Sequence, residues 1–362
     1  MIIEFNDSIL ERNSDDPVIR QAVESAAIET WRGNHFIFGS RKTLEFLASI
    51  SGLTAESKSI IEKCLGNYAT SAAFLKSIPI RVEICCRQTY TSKREDRWIL
   101  PVERLTHGIS PTVLLTENLT DAYLYDFAAK HYALISEGGT SFKVSCRGGG
   151  GSTTPDCLKA IIAEAREWVL CLTDSDKSSP QAPFGNVSIR CEEEASEARW
   201  IAKHNSIPGK TLENVLPHQL IDISVPVELR PNWDEYNRIT KTGERPWAKY
   251  TNLKTGNTVR WIRRLPNGGA DRPFWNEIAR EIGIDLADCT CVEFDCIRDD
   301  KCGKLAIPAL GSRIGEHVLA YLRENSVQRS FQLAKKSANF ELWMEIGKAV
   351  FNFGLAPKRA RS

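Results

Sequence analysis

The stretch that decides the fold runs from residue 111 to residue 176 and reads PTVLLTENLTDAYLYDFAAKHYALISEGGTSFKVSCRGGGGSTTPDCLKAIIAEAREWVLCLTDSD. It contains three strand-like runs, PTVLLTE, SFKVSC and WVLCLTDSD, and the first and third are apolar enough for strands buried on both faces. The segments LTDAYLYDFAAKHYALI and PDCLKAIIAEAREW have the apolar spacing of helices. Strands that alternate with helices predict an α/β fold with a parallel sheet and right-handed crossovers.

The sequence predicts three consecutive regions, with this segment in the middle one. Residues 1–108 are interpreted as a mostly helical region with a β-hairpin, formed by IPIRVEICCRQTY and RWILPVE. Residues 109–221 form the predicted α/β domain, in which NVSIRC is a candidate fourth strand and CEEEASEARWIAKH a helix. Residues 222–362 form a C-terminal region, in which a basic and aromatic segment precedes two helices and a basic tail.

Composition narrows the class of protein. The chain has 362 residues, 42% hydrophobic and 26% charged, which is typical of a globular protein with room for two domains. No apolar run approaches the roughly 18–20 residues of a membrane-spanning helix. The acidic N-terminus lacks the layout of a secretory signal, so we expect a cytoplasmic protein with no membrane partner. We expect the eleven cysteines to be free thiols. With a net charge of only +1, nucleic-acid binding would need a local concentration of basic residues.

Carboxylates follow two of the predicted strands. Glu117 ends the first run, and Asp174 and Asp176 end the third. Ligands bind at the carboxyl ends of strands in open α/β sheets, so these acids would lie close together if the two strands are neighbours. Alternation would place Asp174 and Asp176 on one side if the strand geometry persists that far. A divalent cation would relieve their repulsion, and oxygen ligands suit Mg²⁺ or Mn²⁺. A solvated acidic surface is the alternative.

The same segment resembles a known family. VLLTENLTDAYLY and VLCLTDSDK resemble two motifs of the Toprim domain of topoisomerases, bacterial primases and OLD-family (overcoming-lysogenization-defect) nucleases. GKTLENVLP resembles a third segment, found in OLD-like and defence-associated Toprim proteins. The resemblance covers roughly residues 110–220 and implies a Rossmann-like parallel sheet there. It implies metal ligands at Glu117, Asp121, Asp174, Asp176 and Glu213, with Lys177 or Lys210 near the phosphate.

The departures from the family pattern favour its nuclease branch. Topoisomerases and primases usually carry Gly after the motif Glu, whereas Asn118 stands here, and Asn tolerates the left-handed conformation better than most residues. A topoisomerase tyrosine context and a primase zinc-binding head are not apparent. OLD proteins usually carry an N-terminal ATPase, and the sequence lacks G-x-x-x-x-G-K-[ST]. The chain would thus be a stand-alone Toprim effector or one whose ATPase is a separate subunit.

The resemblance therefore implies a Mg²⁺- or Mn²⁺-dependent nuclease acting on DNA or RNA, tRNA included. A free nuclease is toxic, so we expect a sensor or ATPase partner to gate it, as in an anti-phage effector like that of the PARIS system. A homo-oligomer is compatible with the sequence, which leaves the oligomeric state open. Two alternatives remain: a non-catalytic nucleic-acid-binding or regulatory subunit, and a phospho-acceptor domain modified at Asp174.

Several further features have a functional and a structural interpretation. The loop of Arg147 and glycines 148–151 either cradles phosphate or is a turn near the site. The segment Tyr236–Arg264 holds eight Lys or Arg residues, one acid and four aromatics, and either binds nucleic acid or packs its rings in the core. A cysteine cluster is either a zinc site or part of a strand, and it consists of Cys289, Cys291, Cys296 and Cys302. The histidines that are candidates for proton transfer are His131, His204 and His218. The basic residues of the tail that could contact phosphate are Lys358, Arg359 and Arg361.

Overall fold

The computed structural model describes residues 1–94, 96–136, 141–198, 201–284, 286 and 304–357. The chain forms two compact units. The first comprises Met1–Leu172, Arg190–Asn205 and Ile346–Ser362, and the second comprises Thr173–Ile189 and Ser206–Glu345. Both units are therefore discontinuous, whereas the sequence suggested three consecutive segments.

The first unit begins with a five-stranded sheet. Its strands are β1 (Ile2–Phe5), β2 (Phe36–Gly39), β3 (Arg81–Cys85), β4 (Ser92–Arg94) and β5 (Arg97–Pro101), in the order β2-β1-β3-β5-β4. The pairs β1–β2, β1–β3 and β3–β5 are parallel, and β4–β5 is antiparallel. The helices of this region are α1 (Pro17–Trp31), α2 (Arg41–Ala48), α3 (Ala55–Gly66) and α4 (Tyr68–Ser77).

The sequence predicted a mostly helical N-terminal region with a β-hairpin, and the predicted pairing of its strands is wrong. The two runs interpreted as a hairpin became β3 and β5, which pair in parallel, and the antiparallel partner of β5 is the short β4. β1 and β2 are four-residue strands that pair across a helix, so local periodicity does not reveal them. The predicted helix α1 is confirmed, and Asp16 caps it by accepting a hydrogen bond from Val18 N at 2.9 Å.

The parallel α/β sheet predicted from the central segment is confirmed. Its strands are β6 (Val113–Thr116), β8 (Ser145–Gly148), β9 (Val169–Thr173) and β10 (Ala202–Ser206), in the order β10-β9-β6-β8. β6 pairs in parallel with both β8 and β9, so the first and third predicted strands are neighbours. The helices are α5 (Leu119–Ala133), α6 (Thr154–Glu164) and α7 (Asn186–Glu197).

Two details of this sheet differ from the prediction. NVSIRC is not a strand: it begins α7, in which Cys191 and Ala195 are buried one turn apart, and the fourth strand is β10. SFKVSC is divided between β8 and a two-residue strand, β7 (Ser141–Phe142), which pairs antiparallel with β13 (Leu355–Ala356). In both cases the tertiary partner decides the conformation of a short, ambiguous run.

The second unit is largely helical. Its elements are α8 (Leu212–Val215), α9 (His218–Ser224), α10 (Arg230–Thr240), α11 (Val259–Arg264), α12 (Asp271–Glu281), α13 (Ile314–Glu324) and α14 (Val327–Ala334), with an antiparallel pair of β11 (Asn257–Thr258) and β12 (Leu305–Ile307). The helix α15 (Phe340–Gly354) follows, so residues 304–357 contain three helices where the sequence predicted two. None of the helices in the described ranges is long and apolar enough to span a membrane.

Candidate metal centre

The strand that carries the D-x-D sequence ends at Thr173, before either aspartate. Ser175 is buried, and its hydroxyl donates to the Gly209 carbonyl at 2.7 Å. Asp176 has a left-handed backbone with φ of 54°, and its N–H donates to the Lys210 carbonyl at 2.9 Å. The strand geometry therefore does not persist to the aspartates, and strand alternation does not apply to Asp174 and Asp176.

Asp176 is exposed and packs against a glycine. The N–H of Gly185 donates to the Ser175 carbonyl at 2.9 Å, which folds the loop back on itself. A side chain at Gly185 would overlap the Asp176 carboxylate, so only glycine permits this approach. The Asp176 side chain thus has an environment different from that of Asp174.

The side chain of Asp174 contacts the N-terminus of the short helix α8. Its Oδ1 accepts a hydrogen bond from the Leu212 N–H at 3.0 Å. Thr211 caps the helix, and both its N–H and its hydroxyl donate to Asn214 Oδ1, at 3.0 and 3.1 Å. The Asn214 amide donates to the carbonyls of Ala248 and Thr251 at 3.2 and 3.0 Å. These bonds fix the position of the intervening residue, Glu213.

Glu213 is a buried acid that shares one cation with Asp174. Its side chain is only 4% exposed. Lys254 Nζ lies 3.6 Å from Glu213 Oε2 and 3.8 Å from Asp174 Oδ2. The Oε2 atom has no hydrogen-bond partner among the described residues. A buried carboxylate oxygen with only a long ion pair is well suited to bind a cation.

Two other lysines were predicted near the phosphate. Burial lowers the pKa of Lys210, and the carboxylates of Asp176, Asp271 and Asp174 oppose that shift. Its Nζ donates to the Asp176 carbonyl at 3.3 Å, so Lys210 lies beside the acids. Its contact with a phosphate stays a prediction. The ammonium of Lys177 lies 4.8 Å from the centre of the Phe184 ring.

The loop after the D-x-D sequence is also held by α12. Ser178 Oγ donates to Asp271 Oδ2 at 2.5 Å, and Ser179 Oγ donates to Asp271 Oδ1. Trp275 Nε1 donates to the Ser178 carbonyl at 2.7 Å. Sequence reasoning missed Asp271 and Lys254. Lys254 belongs to a segment noted for its basic residues, but nothing local distinguishes it from the other cations there.

In the first unit, Glu117 follows β6 and is held by the glycine loop. Gly150 and Gly151 both donate their N–H groups to the Glu117 carbonyl at 3.0 Å, and Gly149 donates to the Thr116 carbonyl at 2.7 Å. These three N–H groups are therefore already used, and the phosphate-cradling interpretation is wrong for them. The loop is a turn that fixes the backbone of Glu117.

The turn after Glu117 also explains a departure from the family pattern. Asn118 has φ of −126° and ψ of 149°, an extended conformation open to any residue, so neither glycine nor a left-handed asparagine is required. Its side-chain amide donates to Asp121 Oδ2 at 3.4 Å in the first turn of α5.

The histidines have structural environments. Burial lowers the pKa of His131 and of His218 to about 4. Nδ1 of His218 is 2.9 Å from the Thr242 carbonyl. His204 is buried, its Nδ1 lies 3.0 Å from Glu192 Oε2, and burial is the largest cause of its lowered pKa. Neutral, enclosed rings of this kind are typical of a core rather than of proton transfer.

The aromatic residues of the segment Tyr236–Arg264 contact other rings. Tyr236 is buried and stacked on Trp233 at 5.6 Å, and Trp247 is also buried. Trp261 packs edge-on against Trp275 at 5.1 Å. These contacts favour the core interpretation of the segment over base stacking. The cysteines at 289–302 and the basic residues at 358–361 lie outside the described residues.

The structure thus groups the predicted residues in two places. Asp174, Glu213 and Lys210 are near one another in the second unit, together with the exposed Asp176. Glu117 and Asp121 belong to the first unit, where β6 is the parallel neighbour of β9. Within the described ranges, no group of three or more His, Cys, Asp or Glu side chains is arranged to hold a metal ion.

The fold and the site define an α/β protein with a parallel sheet and an acidic pair bridged by a lysine. No known family model, curated protein or solved structure matches the chain.

Proposed function

We propose that this chain is a metal-dependent Toprim-type nuclease that hydrolyses phosphodiester bonds in DNA or RNA. The observation that carries the proposal is the pair of Asp174 and the buried Glu213, whose carboxylate oxygens face one cation, Lys254. Oxygen ligands of this kind suit Mg²⁺ or Mn²⁺. The resemblance of the two strand-end motifs to the Toprim domain supports the same class.

The chain's own residues have distinct parts in this proposal. Asp174 and Glu213 would hold the ion, and the resemblance implies Glu117, Asp121 and Asp176 as further ligands. A bound Mg²⁺ or Mn²⁺ supplies an activated water and neutralises charge on the phosphate. Lys210, partly buried beside the acids, would attract the phosphate and balance the charge that develops on it.

The rival from another class is a non-catalytic nucleic-acid-binding or regulatory subunit. Such a protein would use exposed rings for base stacking. In the basic segment Tyr236 and Trp247 are buried, and the half-buried Tyr250 and Trp261 pack against Phe274 and Trp275. Glu213 Oε2 is buried without a hydrogen-bond partner among the described residues, which favours a site that binds a cation. We therefore prefer the nuclease, gated by a sensor or ATPase partner as a defence effector.

The test is cleavage of plasmid, single-stranded DNA and total tRNA with Mg²⁺ or Mn²⁺. We expect cleavage of at least one substrate, lost in EDTA and lowered by at least about 1,000-fold in Asp174→Ala and Glu117→Ala, because metal ligands act in the transition state. Lys249→Met, which removes a charge from the basic segment without touching these acids, is the control. Cleavage by Asp174→Ala at the wild-type rate would refute the assignment of the site.

A further inference from the structure

The role of Lys254 follows from the charges around it. Its ammonium faces Asp174 Oδ2 at 3.8 Å and Glu213 Oε2 at 3.6 Å. The two acids are 13% and 4% exposed, and the same ammonium faces both of them. A divalent cation at the same two oxygens would carry twice the positive charge of that ammonium.

The ammonium and a divalent ion would compete for this position. Both are cations, and within about 4 Å of the same oxygens they repel each other, most strongly in a poorly solvated site. Movement of the lysine side chain away from the acids relieves that repulsion when the metal binds.

The backbone at Lys254 is fixed while its side chain can move. The Gly311 N–H donates to the Lys254 carbonyl at 3.2 Å, and Leu310 N–H donates to the carbonyl of the buried Leu253 at 2.7 Å. The Lys254 side chain is 34% exposed, so its ammonium has a route to water through rotation of its four-carbon stem. Exchange requires rotation of the side chain and no movement of the chain.

We propose that Lys254 is a built-in counter-ion, which stabilises the metal-free Asp174–Glu213 pair and is displaced when a divalent cation binds. This inference rests on the proposed function for the identity of the cation. Lys254 thus has two effects on the site. It stabilises the two acids in the absence of metal, and it raises the metal concentration that is needed to occupy them.

The experiment uses the full chain without nucleic acid, so that its readout is independent of cleavage. Thermal unfolding in EDTA and Mn²⁺ binding by calorimetry are measured for wild type, Lys254→Met and Lys254→Arg. Lys249→Met is the matched control, since it removes the same charge from the same segment, where its ammonium lies 5.4 Å from the centre of the Tyr250 ring.

We expect Lys254→Met to lower the melting temperature in EDTA by about 5 °C, because it leaves a buried carboxylate without its cation. The same variant should bind Mn²⁺ about tenfold more tightly than wild type, which corresponds to about 1.4 kcal/mol. Lys254→Arg should remain close to wild type in EDTA. Adding Glu213→Gln to Lys254→Met should restore most of the lost stability, which shows that the loss comes from the uncompensated acid and not from misfolding.

Three other outcomes would each refute a different part of the proposal. If Lys254→Met melts like Lys249→Met in EDTA, the lysine is no counter-ion and the inference fails. If wild type binds Mn²⁺ and Lys254→Met binds it no more tightly, the displacement fails while the metal site of the proposed function stands. If neither binds Mn²⁺ although Lys254→Met is destabilised, the ion pair is permanent, and both the displacement and the proposed metal site are refuted.

Discussion

At the scale of residues, the two aspartates of the D-x-D sequence are not equivalent. Asp174 accepts a hydrogen bond at the start of α8 and faces Lys254, next to the buried Glu213. Asp176 follows a buried serine, has a left-handed backbone and packs its carboxylate against Gly185. The difference arises because the strand ends before both residues, and the chain then turns.

This difference predicts unequal effects on metal binding. Loss of a supporting group around a metal costs about 10- to 100-fold in affinity, so we expect Asp176→Asn to weaken Mn²⁺ binding by about tenfold and Asp174→Asn by more than about 100-fold. Calorimetric titration of both variants checks the ranking. Equal losses would mean that the Asp176 carboxylate turns from Gly185 to the ion.

At the scale of elements, the loop of glycines 148–151 fixes the turn after β6. Its N–H groups are bonded to the carbonyls of Thr116 and Glu117. The close packing requires glycine: a Cβ at Gly149 would lie 2.6 Å from Thr154 Oγ1 and 2.7 Å from Thr154 Cα, whereas a Cβ at Gly151 meets no atom within 4 Å.

Two alanine substitutions in this loop should therefore lower the free energy of unfolding by different amounts. Gly149→Ala must displace either the loop or the start of α6, and we expect it to lower the free energy of unfolding by about 3 kcal/mol. Gly151→Ala has space but a φ of 67°, so we expect a loss of about 1 kcal/mol. Urea unfolding of the two variants gives both values. If the two losses are equal, the contact with Thr154 does not constrain the loop.

At the scale of the whole molecule, buried histidines in both units make stability depend on pH. His35 and His131 belong to the first unit and His218 to the second, and burial lowers the pKa of each. A lowered folded-state pKa means that the unfolded chain binds more protons below its ordinary value near 6.5. Stability is therefore complete above about pH 6.5 and falls as the pH decreases towards 4.

For His218, whose pKa is lowered to about 4, this linkage should remove about 2 kcal/mol between pH 7.5 and pH 5. We expect His218→Gln to show a correspondingly smaller loss over the same interval, measured by urea unfolding at both pH values. His107→Gln, at an exposed histidine, is the control. An unchanged pH dependence in His218→Gln would contradict a neutral, buried imidazole.

Much of the central sheet could be predicted from the sequence, because its signals are local. The apolar runs that became β6 and β9 are too short and too continuous for surface strands, and the helix between them has its own periodicity. Their order along the chain requires parallel pairing, and the acids that follow them are read directly from the sequence. Thus the α/β class and the candidate residues Glu117 and Asp174 needed no tertiary information.

The tertiary structure alone decided which of these side chains meet. Lys254 joins Asp174 and Glu213 although it is far from both along the chain, and β1 finds its partners in β2 and β3 across intervening helices. Such contacts depend on how buried surfaces of distant segments fit together, which local propensity does not encode. The sequence by itself therefore determined β6, β9, the helix α5 between them and the acids that follow the two strands, while packing determined the short strands, the acid pair with its counter-ion and the turn between the two aspartates.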